Sequence, residues 1–208
     1  MDHPAVLDAL KREAEQLNFT LSCDDATGQV LRLLAASKPH GLLLEIGTGI
    51  GQGTAWLLDG LPLTSRLVSL DHNAETQAVA KRYLGQDLRL TFHQQDASSF
   101  LEDMAQQRFD LIFADARPGK YEALDQAVAL LNEGGLYIVD DMQPTSGLRP
   151  ALRKARETLR AMLDAHPSLW MLDLELGSGL AIAVKKAAPA TRRGRARRRN
   201  ESTRLSLV

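Results

Sequence analysis

The sequence lacks the features that mark secreted and membrane proteins. It contains one cysteine, Cys23, among 208 residues, so no internal disulfide can form and nothing indicates an oxidising compartment. No apolar run approaches the roughly 18 to 20 residues that cross a bilayer, and the N-terminus has no basic-then-apolar signal pattern. We therefore expect a cytoplasmic protein with no membrane partner.

Acidic and basic residues nearly balance over the whole chain, but they are distributed unevenly. Seven of the 25 basic residues and one of the 26 acidic residues lie in 189–208, which leaves 18 basic and 25 acidic residues, a net charge of −7, in 1–188. The arginine-rich tail has too little apolar surface to fold by itself, so we expect it to be disordered. The tail is either solvated without a specific partner, which is the favoured interpretation, or in contact with nucleic acid or anionic lipid. The acidic body argues against nucleic acid.

Short β-rich runs alternate with helical stretches through the middle of the chain, which predicts a parallel sheet covered on both faces. The strands are expected at 42–46, 66–71, 88–93, 109–115 and 135–141. Helices are expected between them at 51–59, 73–84, 97–107 and 120–132, and a longer one at 150–165. Two further β-like runs, joined by "GSG" at 177–179, predict an antiparallel hairpin at the end of the sheet.

The same patterns divide the chain into three parts. Helices near 3–17 and 25–37 form an N-terminal helical extension, 1–38. A single α/β domain follows at 39–188, and the basic tail occupies 189–208.

The stretch "LLLEIGTGIGQGTAWLL" at 42–58 predicts a strand, a glycine-rich turn and a helix, an arrangement that brings bare backbone against a ligand. Gly47, Gly49 and Gly51 have the spacing G-x-G-x-G, and the third glycine comes one residue too early for the dinucleotide fingerprint. Glu45, two residues before the first glycine, would repel a pyrophosphate. It suits a ligand with a cationic end and no phosphate.

Two further acids follow the next strands. Asp71 ends the second strand, where a carboxylate accepts hydrogen bonds from ribose hydroxyls. Asp96, after the third strand, is placed to accept from an adenine amino group, although it could instead cap the helix at 97. An acid for the cation, one for the ribose and one for the adenine together indicate S-adenosylmethionine.

Several ordered motifs carry a family resemblance. "EIGTGIG", "VSLDHN", "HQQDASSF", "FDLIFADARPGKY" and "GLYIVDDM" occur in the order of the motifs of class I S-adenosylmethionine-dependent methyltransferases. Within them, residues 20–186 resemble the small O-methyltransferases akin to catechol and caffeoyl-CoA O-methyltransferases. The resemblance implies a Rossmann-like, doubly wound, seven-stranded sheet, mostly parallel, with a C-terminal antiparallel strand.

The resemblance also implies a cofactor site. The methionine part would be bound by Glu45, Gly47, Thr48, Gly49 and Gly51, with Asp115 nearby. Asp71 would bind the ribose, and Asp96 and Ala97 would contact the adenine. His72 would either cover the adenine or be exposed to solvent.

Metal-dependent members of the family bind Mg²⁺ through a carboxylate after the fourth strand and an acid–amide pair after the fifth. Asp115 and Asp140 match the two acids, and Asp141 stands where relatives often carry Asn, a change that still offers an oxygen to a hard cation. The resemblance therefore implies Mg²⁺ or another divalent cation that lowers the pKa of the acceptor hydroxyl. Relatives place the base, a lysine, three residues after the first ligand, where this chain has Pro118. Lys120 follows two residues later, and a turn could bring it over the site or leave it in solvent.

The favoured interpretation is methyl transfer to a hydroxyl of a small molecule, an aromatic diol being one candidate, with Asp115 and Lys120 as catalytic residues; a homodimer is also expected. One alternative is a nicotinamide-dependent oxidoreductase, which the glycine spacing, Glu45 and the lack of a Tyr-x-x-x-Lys pair disfavour. Another is a nucleic-acid methyltransferase that uses the arginine-rich tail, although no Asn-Pro-Pro-Tyr or Asp-Pro-Pro-Tyr run for a flipped base follows the fourth strand.

Overall fold

The computed structural model describes residues 3–143 and 149–188. The strands are β1 (Leu42–Ile46), β2 (Arg66–Asp71), β3 (Leu90–Gln94), β4 (Phe109–Ala114), β5 (Leu131–Val139), β6 (Leu169–Leu174) and β7 (Leu180–Lys185). The helices are α1 (Leu7–Gln16), α2 (Asp25–Ala36), α3 (Gln52–Gly60), α4 (Ala74–Leu84), α5 (Ala97–Asp103), the short turn α6 (Arg117–Lys120), α7 (Leu124–Ala129) and α8 (Pro150–Ala165).

The seven strands form one sheet in the order β3-β2-β1-β4-β5-β7-β6. The first five are parallel to one another, and β7 enters antiparallel between β5 and β6. The predicted fold class is confirmed, including the C-terminal hairpin. Because the chain reverses its direction of winding between β1 and β4, a crevice opens at the carboxyl ends of these strands.

Helices cover the sheet on both faces and give the molecule two apolar cores. One core packs α5, α7 and α8 against the sheet, with Phe100 and Leu159 among its buried residues. The other packs α1, α2, α3 and α4, and includes Leu10, Leu31 and Trp56. The predicted N-terminal extension therefore shares the core of the α/β domain.

Several predicted boundaries differ from the observed ones by a few residues, among them those around β5. The helix expected at 120–132 is only α7, Leu124–Ala129, because β5 already begins at Leu131. Leu131 pairs with Phe109, and a shift in register then brings Leu136 opposite Leu111, so "NEGG" forms a bulge within the strand. The β6–β7 connection is also longer than the expected "GSG".

Several expectations lie outside the described residues. The predicted disorder of the arginine-rich tail falls on 189–208, which are outside them, and 144–148 are outside them as well. Within 3–143 and 149–188, none of the helices combines the length and the apolar character that crossing a membrane requires.

Candidate active site

One cavity of about 530 Å³ lies at the carboxyl ends of the central strands. On one side it is lined by the glycine turn and by the end of β2, through Gly47, Gly49, Asp71 and His72. On the other side it is lined by the four residues expected to carry chemistry, which are Asp115, Lys120, Asp140 and Asp141. The loop between α1 and α2, residues 19–22, and α8 complete its wall.

The three glycines of the turn have positive φ angles, but they serve different purposes. Gly47 has φ 107°, and a Cβ there would lie 2.9 Å from the backbone oxygen of Asp115. Gly47 therefore allows β1 and β4 to approach at the floor of the cavity. Gly51, with φ 97°, faces α4, where a Cβ would lie 2.8 Å from that of Ala80. The structure thus gives Gly51 a role in helix packing, and its contact with the cofactor stays a prediction.

Glu45 is fully buried at the end of β1. Its Oε2 accepts hydrogen bonds of 2.5 Å from the hydroxyls of Thr54 and Ser69. Within the described part of the chain its Oε1 has no hydrogen-bond partner, and Glu45 borders a small cavity beside the glycine turn. Burial raises the pKa of Glu45 to about 8, although the two hydrogen bonds oppose the shift. An unpaired, buried carboxyl oxygen of this kind would bind a cationic group.

Asp71 connects the glycine turn to the end of β2. Its Oδ2 accepts from the backbone N–H of Gly49 at 2.8 Å, and its Oδ1 accepts from the N–H of Asn73 at 2.8 Å. Each carboxylate oxygen has a second lone pair, so both oxygens can still accept from a ligand in the cavity. The side chain of His72 is 83% exposed at the same wall.

Lys120 is brought into the site by a turn in the chain. Pro118 (φ −65°, ψ 138°) and Gly119 (φ 86°, ψ −27°) have the angles of a type II turn. The hydroxyl of Tyr137 on β5 donates to the carbonyl of Gly119 and holds this turn. As a result, the Lys120 ammonium lies 2.8 Å from Asp115 Oδ1, and the side chain is 5% exposed. Of the two positions left open by the sequence, the structure shows the one over the site.

Known proteins are similar to this chain in sequence and in fold. A methyltransferase domain family matches residues 44–142. The chain is 30% identical over 176 residues to a Mycobacterium ulcerans protein named as an O-methyltransferase, covering 77% of this chain and 76% of that protein. The chain belongs to the O-methyltransferase family.

Two other O-methyltransferases are similar over most of their length. A catechol O-methyltransferase of Niastella koreensis is 28% identical over 200 residues, covering 88% of this chain and 90% of that protein. The crystal structure of a Bacillus cereus O-methyltransferase in complex with S-adenosylhomocysteine has the same fold, with a TM-score of 0.78 and 21% identity, and it covers 89% of this chain and 93% of that one.

The acids of this O-methyltransferase that were expected to bind a metal are already engaged. Asp140 Oδ1 accepts from the Ser178 hydroxyl at 2.5 Å and from the Asp141 N–H at 2.7 Å. The Lys120 ammonium lies between Asp115 Oδ1 and Asp141 Oδ2, at 2.8 and 3.6 Å. Among residues 3–143 and 149–188, no three His, Cys, Asp or Glu side chains are placed to hold a metal ion. The donor set as arranged therefore does not fit the divalent cation that the resemblance implied.

Burial and the neighbouring charged or polar groups shift the pKa values of Asp115, Asp140 and Lys120 in opposite directions. Burial raises the pKa of Asp115 to about 6, against the lowering effect of Lys120. Burial also raises the pKa of Asp140, and the hydrogen bond from Ser178 opposes it. Burial would lower the pKa of Lys120, but the charge of Asp115 and then that of Asp141 raise it above its usual range. Lys120 is therefore held as an ammonium ion.

Of the expected adenine contacts, His72 lines the cavity of this O-methyltransferase, whereas Asp96 and Ala97 lie apart from it. Asp96 caps α5 and accepts from the N–H of Ser99 at 3.1 Å. Ala97 is buried as the first residue of that helix. Among the described residues that line the main cavity, neither occurs. The capping alternative for Asp96 is observed, and its contact with adenine stays a prediction.

Several supporting side chains were not singled out from the sequence. Ser69 donates to Glu45 and shares a 2.7 Å hydrogen bond with Thr48, which the sequence did predict as a cofactor contact. Gln77 on α4 donates to Thr48 at 3.2 Å, so a buried polar chain runs from Glu45 to α4. Ser178, in the hairpin turn, bonds Asp140. These residues are small and polar in runs that read as ordinary strands, helices or turns, so only their burial beside an acid distinguishes them.

Proposed function

We propose that the chain transfers the methyl group of S-adenosylmethionine to a hydroxyl oxygen of a small molecule that carries an aromatic ring. The observation that carries this proposal is the single cavity that joins the glycine turn and Asp71 to Asp115 and Lys120. A methyl donor and an acceptor bound at its two ends would meet inside it. In-line displacement requires both ligands in one cavity, because the acceptor oxygen must approach the methyl carbon from the side opposite the sulfur.

The donor end suits S-adenosylmethionine because its polar groups match those of the ligand. The unpaired Oε1 of Glu45 would bind the cationic amino group, and Gly47 and Gly49 would allow the methionine part to approach the backbone. Asp71 would accept from the ribose hydroxyls, with His72 over the adenine. The S-adenosylhomocysteine in the Bacillus cereus relative supports this choice of ligand. When bound, the donor supplies a methyl group on a positively charged sulfur.

The acceptor end favours a ring with a hydroxyl group. Beside Lys120 and Tyr121, a second cavity of about 420 Å³ opens against α8, with Ala155, Leu159 and Met162 in its wall. Apolar walls next to a buried charged pair are typical of small-molecule sites, in which a few polar groups orient an apolar body. The catechol O-methyltransferase of Niastella koreensis supports an aromatic acceptor.

The proposed reaction forms a C–O bond from an oxygen lone pair and breaks the C–S bond, whose electron pair stays on sulfur. The acceptor proton leaves to solvent water. Asp115 and Lys120 orient the acceptor oxygen, and no step is assigned to a divalent cation. The homodimer and the cytoplasmic location expected from the sequence stay predictions.

Calorimetric titration tests the donor assignment. We expect S-adenosylmethionine and S-adenosylhomocysteine to bind with micromolar affinity. NAD should show no binding, because Glu45 beside the glycine turn would repel its pyrophosphate group. Turnover is then measured with catechol, simple phenols and aliphatic alcohols as acceptors. Equal affinity for NAD would favour the nicotinamide-dependent alternative and contradict the proposal.

A further inference from the structure

Lys120 lies at the centre of an acidic cluster, which we define as Asp115, Asp140 and Asp141. Its ammonium contacts Asp115 at 2.8 Å and Asp141 at 3.6 Å, in a position shielded from water. Asp140 meanwhile accepts from the Ser178 hydroxyl and from its neighbour's N–H, both through Oδ1. A divalent cation bound to these carboxylates would meet the positive charge of Lys120 at close range, and like charges in a buried site repel strongly.

We infer that Lys120 is the resident cation of this site and takes the place that a divalent metal has in metal-dependent O-methyltransferases. The inference rests on the proposed function and names the group that orients the acceptor. An ammonium has three N–H donors. One is used by Asp115 Oδ1, and within the described part of the chain Asp141 approaches the ammonium only to 3.6 Å, so donors are left for an acceptor oxygen that enters the cavity.

The local fold holds Lys120 in this position. The type II turn at Pro118 and Gly119 directs the side chain inward, and the Tyr137 hydroxyl fixes the turn through the Gly119 carbonyl. A second cation at the cluster, Arg156, is 3.7 Å from Asp141 and donates to the carbonyl of Gln143. Arg156 thus neutralises the outer part of the acidic cluster, while Lys120 faces its centre.

This arrangement selects a class of acceptor. A single ammonium stabilises an oxyanion less than a divalent cation does, so the acceptor hydroxyl must ionise readily by itself. Phenols, with a pKa of about 10, meet this requirement far better than aliphatic alcohols. As the oxygen binds Lys120, its proton leaves to water, and the resulting oxyanion attacks the methyl carbon. The C–S bond then breaks, and S-adenosylhomocysteine and a methyl ether remain.

The first test measures Mn²⁺ binding by electron paramagnetic resonance, using the full chain saturated with S-adenosylhomocysteine. We expect the wild type to bind no Mn²⁺ at this site, and Lys120→Met to bind one ion per chain at the uncovered carboxylates. Lys81→Met, which removes an exposed lysine of α4, is the matched control and should behave as the wild type. One Mn²⁺ per wild-type chain, lost in Asp140→Asn, would overturn the inference.

The second test measures turnover of a phenol after extensive treatment with EDTA. The chelated wild type should keep its full rate. Lys120→Met should lose roughly 100-fold in kcat, the usual cost of removing a donor to a developing oxyanion, and Lys120→Arg should recover part of the loss. Turnover that EDTA abolishes and Mg²⁺ restores, or a Lys120→Met enzyme with the wild-type kcat, would overturn the inference. Absence of S-adenosylhomocysteine binding in the wild type would instead contradict the proposed function.

Discussion

A buried carboxyl group with one unpaired oxygen lies where β1 meets the glycine turn. The pKa of Glu45 is raised to about 8, mainly because burial penalises its charged form. Without a ligand, Glu45 is therefore protonated at neutral pH. A cationic group beside Oε1 would favour the carboxylate, so ligand binding and proton release are coupled.

The coupling predicts a pH-dependent affinity. Below pH 8, binding of S-adenosylhomocysteine should release close to one proton, and the affinity should rise by up to roughly tenfold per pH unit as the pH approaches 8. Glu45→Gln should bind more weakly and with a shallower slope. Calorimetry in two buffers of different ionisation enthalpy counts the protons. Parallel curves for the wild type and Glu45→Gln would show that Glu45 does not titrate on binding.

The same shift bears on the stability of the ligand-free protein. The folded pKa of Glu45 lies above its ordinary value of 4.5. The contribution of protonated Glu45 to the free energy of unfolding is therefore complete below about pH 4.5, and it is lost as the pH rises through 8. As the pH rises across this window, the melting temperature of Glu45→Gln should increase relative to that of the wild type. Glu102→Gln, at an exposed position on α5, serves as the control and should follow the wild type.

Asp71 combines a structural and a binding role, and substitutions can separate the two. Asp71→Ala should weaken S-adenosylhomocysteine binding by about 1 to 3 kcal/mol, since charge-assisted hydrogen bonds are lost. It also releases the N–H of Gly49, which the carboxylate holds at 2.8 Å. Asp71→Asn keeps an acceptor oxygen and should lose less. Titration calorimetry compares the three proteins, and an unchanged affinity in Asp71→Ala would contradict the ribose assignment.

Among the elements, those with strong local patterns were predicted well. The helix expected at 150–165 is α8, Pro150–Ala165, and the strand expected at 42–46 is β1, Leu42–Ile46. Both have a clear apolar pattern and clear boundary signals, such as Pro150 at the first helical position. The hairpin was also predicted, because two β-like runs separated by glycine have few other ways to pair.

Other parts of the site could not be predicted, because they depend on contacts distant in sequence. The inward position of Lys120 requires the hydroxyl of Tyr137, which lies on a different strand. The engagement of Asp140 requires Ser178 in the C-terminal hairpin. No local pattern reports these contacts, so the three acids matched a metal motif that their three-dimensional surroundings do not support.

The type II turn that positions Lys120 depends on the left-handed conformation of Gly119. Gly119 has φ 86°, and a Cβ there would lie 3.1 Å from Ile46 Cδ1 and 3.3 Å from the Tyr137 hydroxyl. Gly119→Ala should therefore cost about 1 to 2 kcal/mol in the free energy of unfolding. It should also lower kcat about tenfold or more, because a small misplacement of a catalytic group is costly. Denaturant unfolding and initial rates measure the two effects.

Gly134 provides a matched control for this substitution. Its φ of 74° imposes a similar backbone strain, and a Cβ there would meet open space. Gly134→Ala should lose a similar stability while keeping the wild-type kcat. If both variants lose activity equally, the effect is one of general stability and the turn does not position Lys120.

At the scale of the whole molecule, the site depends on joining both cores. The glycine turn leads into α3 on one face of the sheet, whereas the turn that carries Lys120 leads into α7 on the other. The loop at 19–22 closes the cavity from the N-terminal side. The N-terminal helices α1 and α2, which flank this loop, therefore contribute to the active-site cavity.

The opposite charges of the body and the tail give the last prediction. Truncation after Ala188 should leave the melting temperature and the affinity for S-adenosylhomocysteine unchanged, because 189–208 has few apolar residues to bury. The removed segment carries seven arginines and one glutamate, beside a body with a net charge of −7. Any binding of the full chain to heparin or duplex DNA should therefore depend on the tail and disappear on truncation.

Salt dependence distinguishes a charge effect from specific recognition. If all seven arginines neutralise phosphates, the logarithm of the DNA affinity should fall with the logarithm of the salt concentration with a slope of up to about 6 in magnitude. The binding is measured by fluorescence anisotropy over a series of NaCl concentrations, with the truncated chain as the control. Binding that salt does not weaken, or a melting temperature that falls by several degrees on truncation, would show that the tail makes specific contacts and is not a solvated, purely electrostatic segment.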